Sequence, residues 1–193
     1  MNFLEERILR EGCVLPGGVL KVDGFLNHLI DTQLLNKIGA EFRRRFEDVE
    51  VTKILTIESS GIAVASIAAN YFNVPVLFAK KSNGVNMDSE TYSTPAYSFT
   101  HRAEFHASVA KRLLGPEDKV LILDDFLATG SAAMALVDIV RQSGARLSGI
   151  GIVIEKGMQP GGELIRQKGY RLESIAIIDK MDAESGLIEF RKL

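Results

Sequence analysis

The chain has one cysteine, Cys13, among 193 residues. No intrachain disulfide can form, and a reducing, cytoplasmic setting is expected. Excess charge is also lacking, since 23 Lys and Arg stand against 25 Asp and Glu for a net charge of −2. That near balance gives no electrostatic footprint for nucleic acid. The one basic run, Arg43, Arg44 and Arg45, is too short to make one and reads as a solvated helix face. The apolar runs fall far short of the roughly 20 residues that cross a bilayer, so no membrane partner is expected. Residues Met1 to Glu6 lack a basic flank and an apolar stretch, so they do not read as a signal peptide. There is no internal repeat and no linker that would split the chain. What remains is ordinary: 46% hydrophobic and 25% charged residues. That composition fits one folded domain, which at this length buries roughly 70% of its unfolded surface.

Phe3 to Glu11 reads as a short helix, broken at Leu15-Pro16-Gly17-Gly18. Val19 to Val22 is a candidate strand. Asp31 can cap a helix whose Leu34, Leu35, Ile38, Phe42 and Phe46 recur at helical spacing. The chain then alternates. Strands are expected at Lys53–Ile57, Val74–Ala79, Lys119–Leu123, Leu147–Ile154 and Arg171–Ile178. Helices are expected from Gly61 to about Phe72, from Gly130 to Ser143 and from Gly162 to Lys168. The alternation predicts an α/β fold, a parallel sheet covered on both faces. Lys80 to Thr94 breaks it with Ser82, Asn83, Gly84, Asn86, Asp88, Ser89 and Thr91. A polar loop of that length is commonly a functional lid, and the plainer reading is a tolerated surface insertion.

The most informative segment runs Val120-Leu121-Ile122-Leu123-Asp124-Asp125-Phe126-Leu127-Ala128-Thr129-Gly130-Ser131-Ala132. An aliphatic strand ends in two acids, then a tight turn opens a helix of small residues. Ligands of α/β sheets bind at the carboxyl ends of the strands. Free backbone N–H groups at a helix start suit a phosphate, and Gly130 lets the backbone come close. The hydroxyls of Thr129 and Ser131 add donors. Asp124 and Asp125 can accept hydrogen bonds from vicinal sugar hydroxyls. A phosphorylated sugar needs both halves.

This segment resembles the phosphoribosyl pyrophosphate motif of the type I phosphoribosyltransferases. The resemblance covers nearly the whole chain and is nearest to the bacterial xanthine phosphoribosyltransferases. Its segments are Leu20-Lys21-Val22-Asp23, Phe25-Leu26-Asn27-His28, Thr56 to Ala63, Tyr97-Ser98-Phe99-Thr100 and Gly149 to Lys156. One departure is visible: some members carry Asn and Gln where Thr129 and Ser131 stand here, and either pair can donate to phosphate.

The resemblance implies the type I fold, one domain over 1–193. Residues of about 1–30 and 150–193 would form a small hood over the base, and about 80–100 a flexible catalytic loop. It implies that Asp124 and Asp125 serve catalysis and that Lys80 and Lys81 face the pyrophosphate. Ala128, Thr129, Gly130, Ser131 and Ala132 would hold phosphoribosyl pyrophosphate, with Ser59, Ser60 and Gly61 as the pyrophosphate loop. Glu58 in that loop would repel pyrophosphate unless magnesium or a backbone contact intervened, and its role stays open. Two plainer readings stand beside these: Ser59 or Ser60 as an ordinary helix cap, and Lys80 and Lys81 as solvated lysines. The resemblance also implies Mg2+ held mainly by phosphoribosyl pyrophosphate, a homodimer, and Leu20, Asn27 and Lys156 at the nucleobase.

The ammonium of Lys156 only donates, which suits a 6-oxo group and opposes the 6-amino group of adenine. The Asn27 amide can turn NH2 toward the 2-oxo group of xanthine or oxygen toward the 2-amino group of guanine. Leu20 would be an apolar wall. Phe126 could stack on the base or belong to the core. His28, His101 and His106 read as surface or structural, without metal-ligand spacing to Cys13. The expected activity is transfer of a phosphoribosyl group to a 6-oxopurine, with xanthine favoured by the resemblance. An adenine or guanine–hypoxanthine enzyme and a non-catalytic sensor of phosphoribosyl pyrophosphate remain as alternatives.

Overall fold

The computed structural model describes residues 1–82, 90–98 and 103–192. Helix α1 (Phe3–Glu11) begins at Asn2, whose side chain accepts the N–H groups of Leu4 and Glu5 while Glu5 accepts the Asn2 N–H. This reciprocal cap satisfies donors that a first helical turn leaves free. A small hairpin follows, β1 (Cys13–Leu15) and β2 (Val19–Lys21), turned through Gly17 and Gly18 at positive φ. A π-helical turn, Asp23–Asn27, buries Phe25 and Leu26. Helix α2 (Thr32–Arg45) is capped by Asp31, as expected, and Arg7 pairs with Asp31 at 2.9 Å to tie α1 to α2.

The remaining elements are β3 (Lys53–Ile57), α3 (Ser60–Phe72), β4 (Val76–Ser82), β5 (Thr91–Ser98), β6 (Ala103–Ala110), β7 (Lys119–Leu127), α4 (Ser131–Ser143), β8 (Arg146–Lys156), α5 (Gly161–Gln167), β9 (Leu172–Met181) and β10 (Ile188–Phe190). Eight strands form one sheet in the order β10-β9-β8-β7-β3-β4-β6-β5. The five from β9 to β4 are mutually parallel, and both edges are closed by antiparallel pairings. The expected parallel sheet with helices on both faces is therefore present.

Strand β7 shows how the faces are built. Leu121 and Leu123 point into the cluster formed with α1, α2 and α3, whereas Val120 and Ile122 point into the cluster formed with α4. Successive side chains of a strand leave on opposite faces, so an unbroken aliphatic run serves both layers.

One expectation needs correction. The polar stretch Lys80–Thr94 is not loop throughout: β4 runs on to Ser82, where Lys80, Lys81 and Ser82 pair with Ser108, Ala107 and His106 of β6, and β5 starts at Thr91. Backbone ladder bonds make this strand, and they do not require apolar side chains. Asn83, Gly84, Asn86, Asp88 and Ser89 lie outside the described residues, as do Phe99, Thr100 and His101. The β5–β6 pair itself is an addition. Pro95 interrupts the sequence pattern of β5, but β5 is the edge strand, where a missing backbone donor is tolerated.

Candidate active site

The carboxyl ends of β3, β4, β7 and β8 gather the expected residues along one edge of the sheet. Strand β7 carries Asp124 and Asp125 near its end, both buried, with relative exposures of 7% and 6%. Asp124 Oδ1 accepts the Asp125 backbone N–H at 3.0 Å. Burial drives the Asp124 pKa well above the ordinary carboxylate value, and the charge of Asp125 pushes it further up; Lys81 pulls partly back. Such a carboxyl is poised for partners that stabilise its charge.

After β7 the backbone turns through Ala128 and Thr129 to Gly130, which has φ 87° and stands at the N-terminus of α4. A side chain is strained at that φ, so glycine is required there. No side-chain cap closes the first turn of α4 among the described residues, which leaves backbone donors for an anion. Ser131 departs from its expected use in part: its Oγ accepts the Tyr97 backbone N–H at 2.8 Å. The hydroxyl anchors β5, and its own proton makes no hydrogen bond among the described residues. Ala132 follows in the first turn of α4.

Strand β3 lies next to β7, and its loop Glu58–Gly61 leads into α3. A Cβ on Gly61 would lie 2.3 Å from Thr56 Oγ1 and 2.7 Å from Asp124 Oδ1, so only glycine lets this loop close on the acidic pair. Ser59 precedes α3 without a side-chain cap bond, which removes the ordinary-cap reading for that residue; Ser60 is the first helical residue. Glu58 acquires a role: its carboxylate accepts the Lys81 backbone N–H, fixing the loop to the end of β4. The side chains of Lys80 and Lys81 are exposed at that strand end, and the Lys81 ammonium stands 5.3 Å from the Phe105 ring centre.

On the other side of β7, Lys156 ends β8. Its Nζ donates to the Gly18 carbonyl at 3.1 Å and stands 5.9 Å from the Phe126 ring centre. Burial lowers its pKa below the ordinary lysine value. Lys156 thus joins the β1–β2 hairpin to the sheet edge, with Phe126 beside it. Leu20 is buried on β2, packed in the core cluster that Phe126 borders. Asn27 is exposed at the end of the π-helical turn, and among the described residues no hydrogen bond joins it to Lys156. His28 is exposed and His106 lies half-buried on β6.

One group at this edge escaped the sequence. Glu155 is 1% exposed, and its carboxylate accepts two bonds from Arg166 at 2.7 and 2.8 Å and one from the Ser174 hydroxyl. Desolvation acts to raise its pKa, but the bonds from Arg166 and Ser174 outweigh it and hold the carboxylate below its ordinary value. A lone acid at the end of an apolar strand could have signalled it, since such an acid needs a partner.

Residues 28–182 match the model of the phosphoribosyl transferase domain family. A xanthine phosphoribosyltransferase of Lachnoclostridium phytofermentans is 55% identical over 99% of this chain and 98% of its own. One of Clostridium novyi is 54% identical over 99% of this chain and 100% of its own. Among solved structures, an APRTase from Giardia lamblia complexed with 9-deazaadenine superposes with a TM-score of 0.77 at 24% identity, covering 92% of this chain and 98% of that one. An adenine phosphoribosyltransferase from Trypanosoma brucei gives 0.73 at 18% identity, over 91% and 79%. The fold, the acid pair with its backbone cradle and these matches agree, and the chain belongs to the phosphoribosyltransferase family.

Proposed function

We propose that this chain is a xanthine phosphoribosyltransferase, moving the 5-phosphoribosyl group of phosphoribosyl pyrophosphate to a ring nitrogen of xanthine and releasing pyrophosphate. The observation that carries the reading is the buried pair Asp124–Asp125 directly before the Gly130 cradle, with donor-only Lys156 at the neighbouring strand end. The relatives at 54–55% identity support xanthine as the base.

The 5′-phosphate sits in the 128–132 turn, where backbone N–H groups and the Thr129 and Ser131 hydroxyls donate to it. Asp124 and Asp125 accept the ribose hydroxyls and so orient C1′. Ser59, Ser60 and the backbone at Gly61 face the pyrophosphate, and Lys80 and Lys81 balance its charge. The purine nitrogen bonds to C1′ as the bond from C1′ to the pyrophosphate oxygen breaks, and the imidazole N–H proton of the base leaves to solvent. Charge on the ribose resembles that of an oxocarbenium ion, as in glycoside cleavage. Carboxyl oxygens beside the sugar present lone pairs toward that charge and favour it electrostatically. Lys156 donates to the 6-oxo group of the base, Phe126 flanks it, and Leu20 and Asn27 complete its surroundings.

Magnesium fits this edge as a companion of the substrate. The buried Thr56 hydroxyl has no hydrogen-bond partner among the described residues, and together with Asp124 Oδ1 it borders the space kept clear by Gly61. Among the described residues no three His, Cys, Asp or Glu side chains converge to hold a metal alone. A Mg2+ arriving on pyrophosphate oxygens, with Asp124 and Asp125 within its surroundings, would supply charge neutralisation of the leaving group. The same reading includes a homodimer in the cytoplasm, whose mass sedimentation would report.

Asp125→Ala tests the reading. Turnover of xanthine with phosphoribosyl pyrophosphate should fall by about 100-fold or more while circular dichroism stays that of the parent, since a misplaced reacting centre alone costs about that much. A folded Asp125→Ala protein with parental turnover would contradict the assignment.

A further inference from the structure

We propose that the glycine pair opening α5, Gly161 and Gly162, positions the two halves of the active site separately: Gly161 sets the phosphate cradle and Gly162 sets the base-recognising strand end. The proposal rests on the phosphoribosyltransferase reading above. Gly161 lies against the cradle backbone. Its N–H donates to the Ala128 carbonyl at 3.0 Å. A Cβ on it would lie 2.4 Å from Ala128 O, 2.5 Å from Gly130 N and 2.7 Å from the Thr129 carbonyl carbon. All three are backbone atoms, which cannot rotate aside as a side chain would. Any side chain at 161 must therefore displace the amide at Gly130, a donor the phosphate needs. The contact is mutual, since a Cβ on Gly130 would stand 3.2 Å from the Gly161 Cα.

Gly162 faces the other way. A Cβ there would lie 1.9 Å from Glu155 Oε1 and 2.8 Å from Arg166 Nη1. Glu155 has no free room, being held by Arg166 and Ser174 in a buried position. Its chain neighbour is Lys156, whose ammonium meets the Gly18 carbonyl. A carboxylate pushed from this seat moves the end of β8, and Lys156 with it. Neither glycine has a positive φ, so both are explained by close approach and not by turn geometry. The segment is a spacer with a cradle on one side and a carboxylate on the other.

The experiment is steady-state kinetics of Gly161→Ala, Gly162→Ala and Arg166→Lys with xanthine and phosphoribosyl pyrophosphate, with melting curves for each. Gly161→Ala should raise the KM for phosphoribosyl pyrophosphate about 10- to 100-fold while the KM for xanthine changes less than about 2-fold, as expected for a misplacement near 1 Å. Gly162→Ala should do the reverse. Arg166→Lys keeps the charge but loses the two-pronged bond to Glu155, so it should raise the KM for xanthine alone, and it decides the Gly162 half if Gly162→Ala does not fold. Equal changes in both KM values, or lowered melting with parental KM values, would overturn the proposal. If the parent protein forms no nucleotide from any base, the functional reading fails. Calorimetric binding of phosphoribosyl pyrophosphate then still reports on Gly161: parental binding by Gly161→Ala would overturn its part independently.

Discussion

Asp124 is a residue the fold holds at a cost. Buried beside Asp125, it has a folded-state pKa above its unfolded one. Its contribution to stability is whole below the unfolded pKa and is lost as pH rises through the folded pKa. Near neutral pH the ligand-free protein therefore carries the penalty, and Asp124→Asn should relieve it. The melting temperature of the variant should rise, by about 2–4 °C for each ~1 kcal/mol gained in a chain of this size, while turnover falls. Stability traded against activity is common at active sites, and a lower melting point at neutral pH would contradict this view of the pair. Lys156 makes a second case. A glutamine there offers a carbonyl oxygen that can accept from a 6-amino group, so Lys156→Gln should lower the preference for xanthine over adenine by at least about 100-fold. Because burial already lowers the pKa of this ammonium, the parent's KM for the base should also rise on the alkaline side before the ordinary lysine value is reached. An unchanged base preference in the variant would remove Lys156 from the base site.

At the scale of elements, sequence patterns located what packing and caps determine. The α1 boundaries, the Asp31 cap and the strand Lys53–Ile57 are where periodicity and capping chemistry place them. The β5–β6 pair was not legible, because Thr91–Ser98 is polar and contains Pro95. A partial signal existed in β6: Phe105, Ala107 and Val109 alternate and all are buried. Strand β10 was equally hidden, being three residues after a turn at Gly186. The reciprocal cap of α1 has a sequence signature of its own, since Asn2 and Glu5 stand at the right spacing. Asn2 adds a bond from its amide to the Ile175 carbonyl of β9 at 2.8 Å, which joins the first helix to the sheet. Asn2→Ala should destabilise the protein by about 0.5–2 kcal/mol. Urea unfolding would report it as a lower midpoint with an unchanged slope; an unchanged midpoint would mean that the helix start is held by its packing alone.

Across the whole molecule, the strand–turn–helix segment from Val120 to Ala132 was legible because one stretch of chain holds both the acids and the cradle. The base side was not, because its parts come from distant segments: Gly18 and Phe126 meet Lys156 only through the fold. Glu155, Arg166 and the glycines of α5 were invisible for the same reason, since their meaning lies in what they approach. The role of Glu58 became readable only once β4 was seen beside its loop. The two sides act together: a cradle for phosphoribosyl pyrophosphate and a donor-only contact that selects a 6-oxopurine. Nucleotide formation from phosphoribosyl pyrophosphate and magnesium, with xanthine, guanine, hypoxanthine and adenine compared side by side, reads both at once. The highest kcat/KM is expected for xanthine, with lower values for guanine and hypoxanthine and adenine close to background; a preference for adenine would overturn the assignment of the base side.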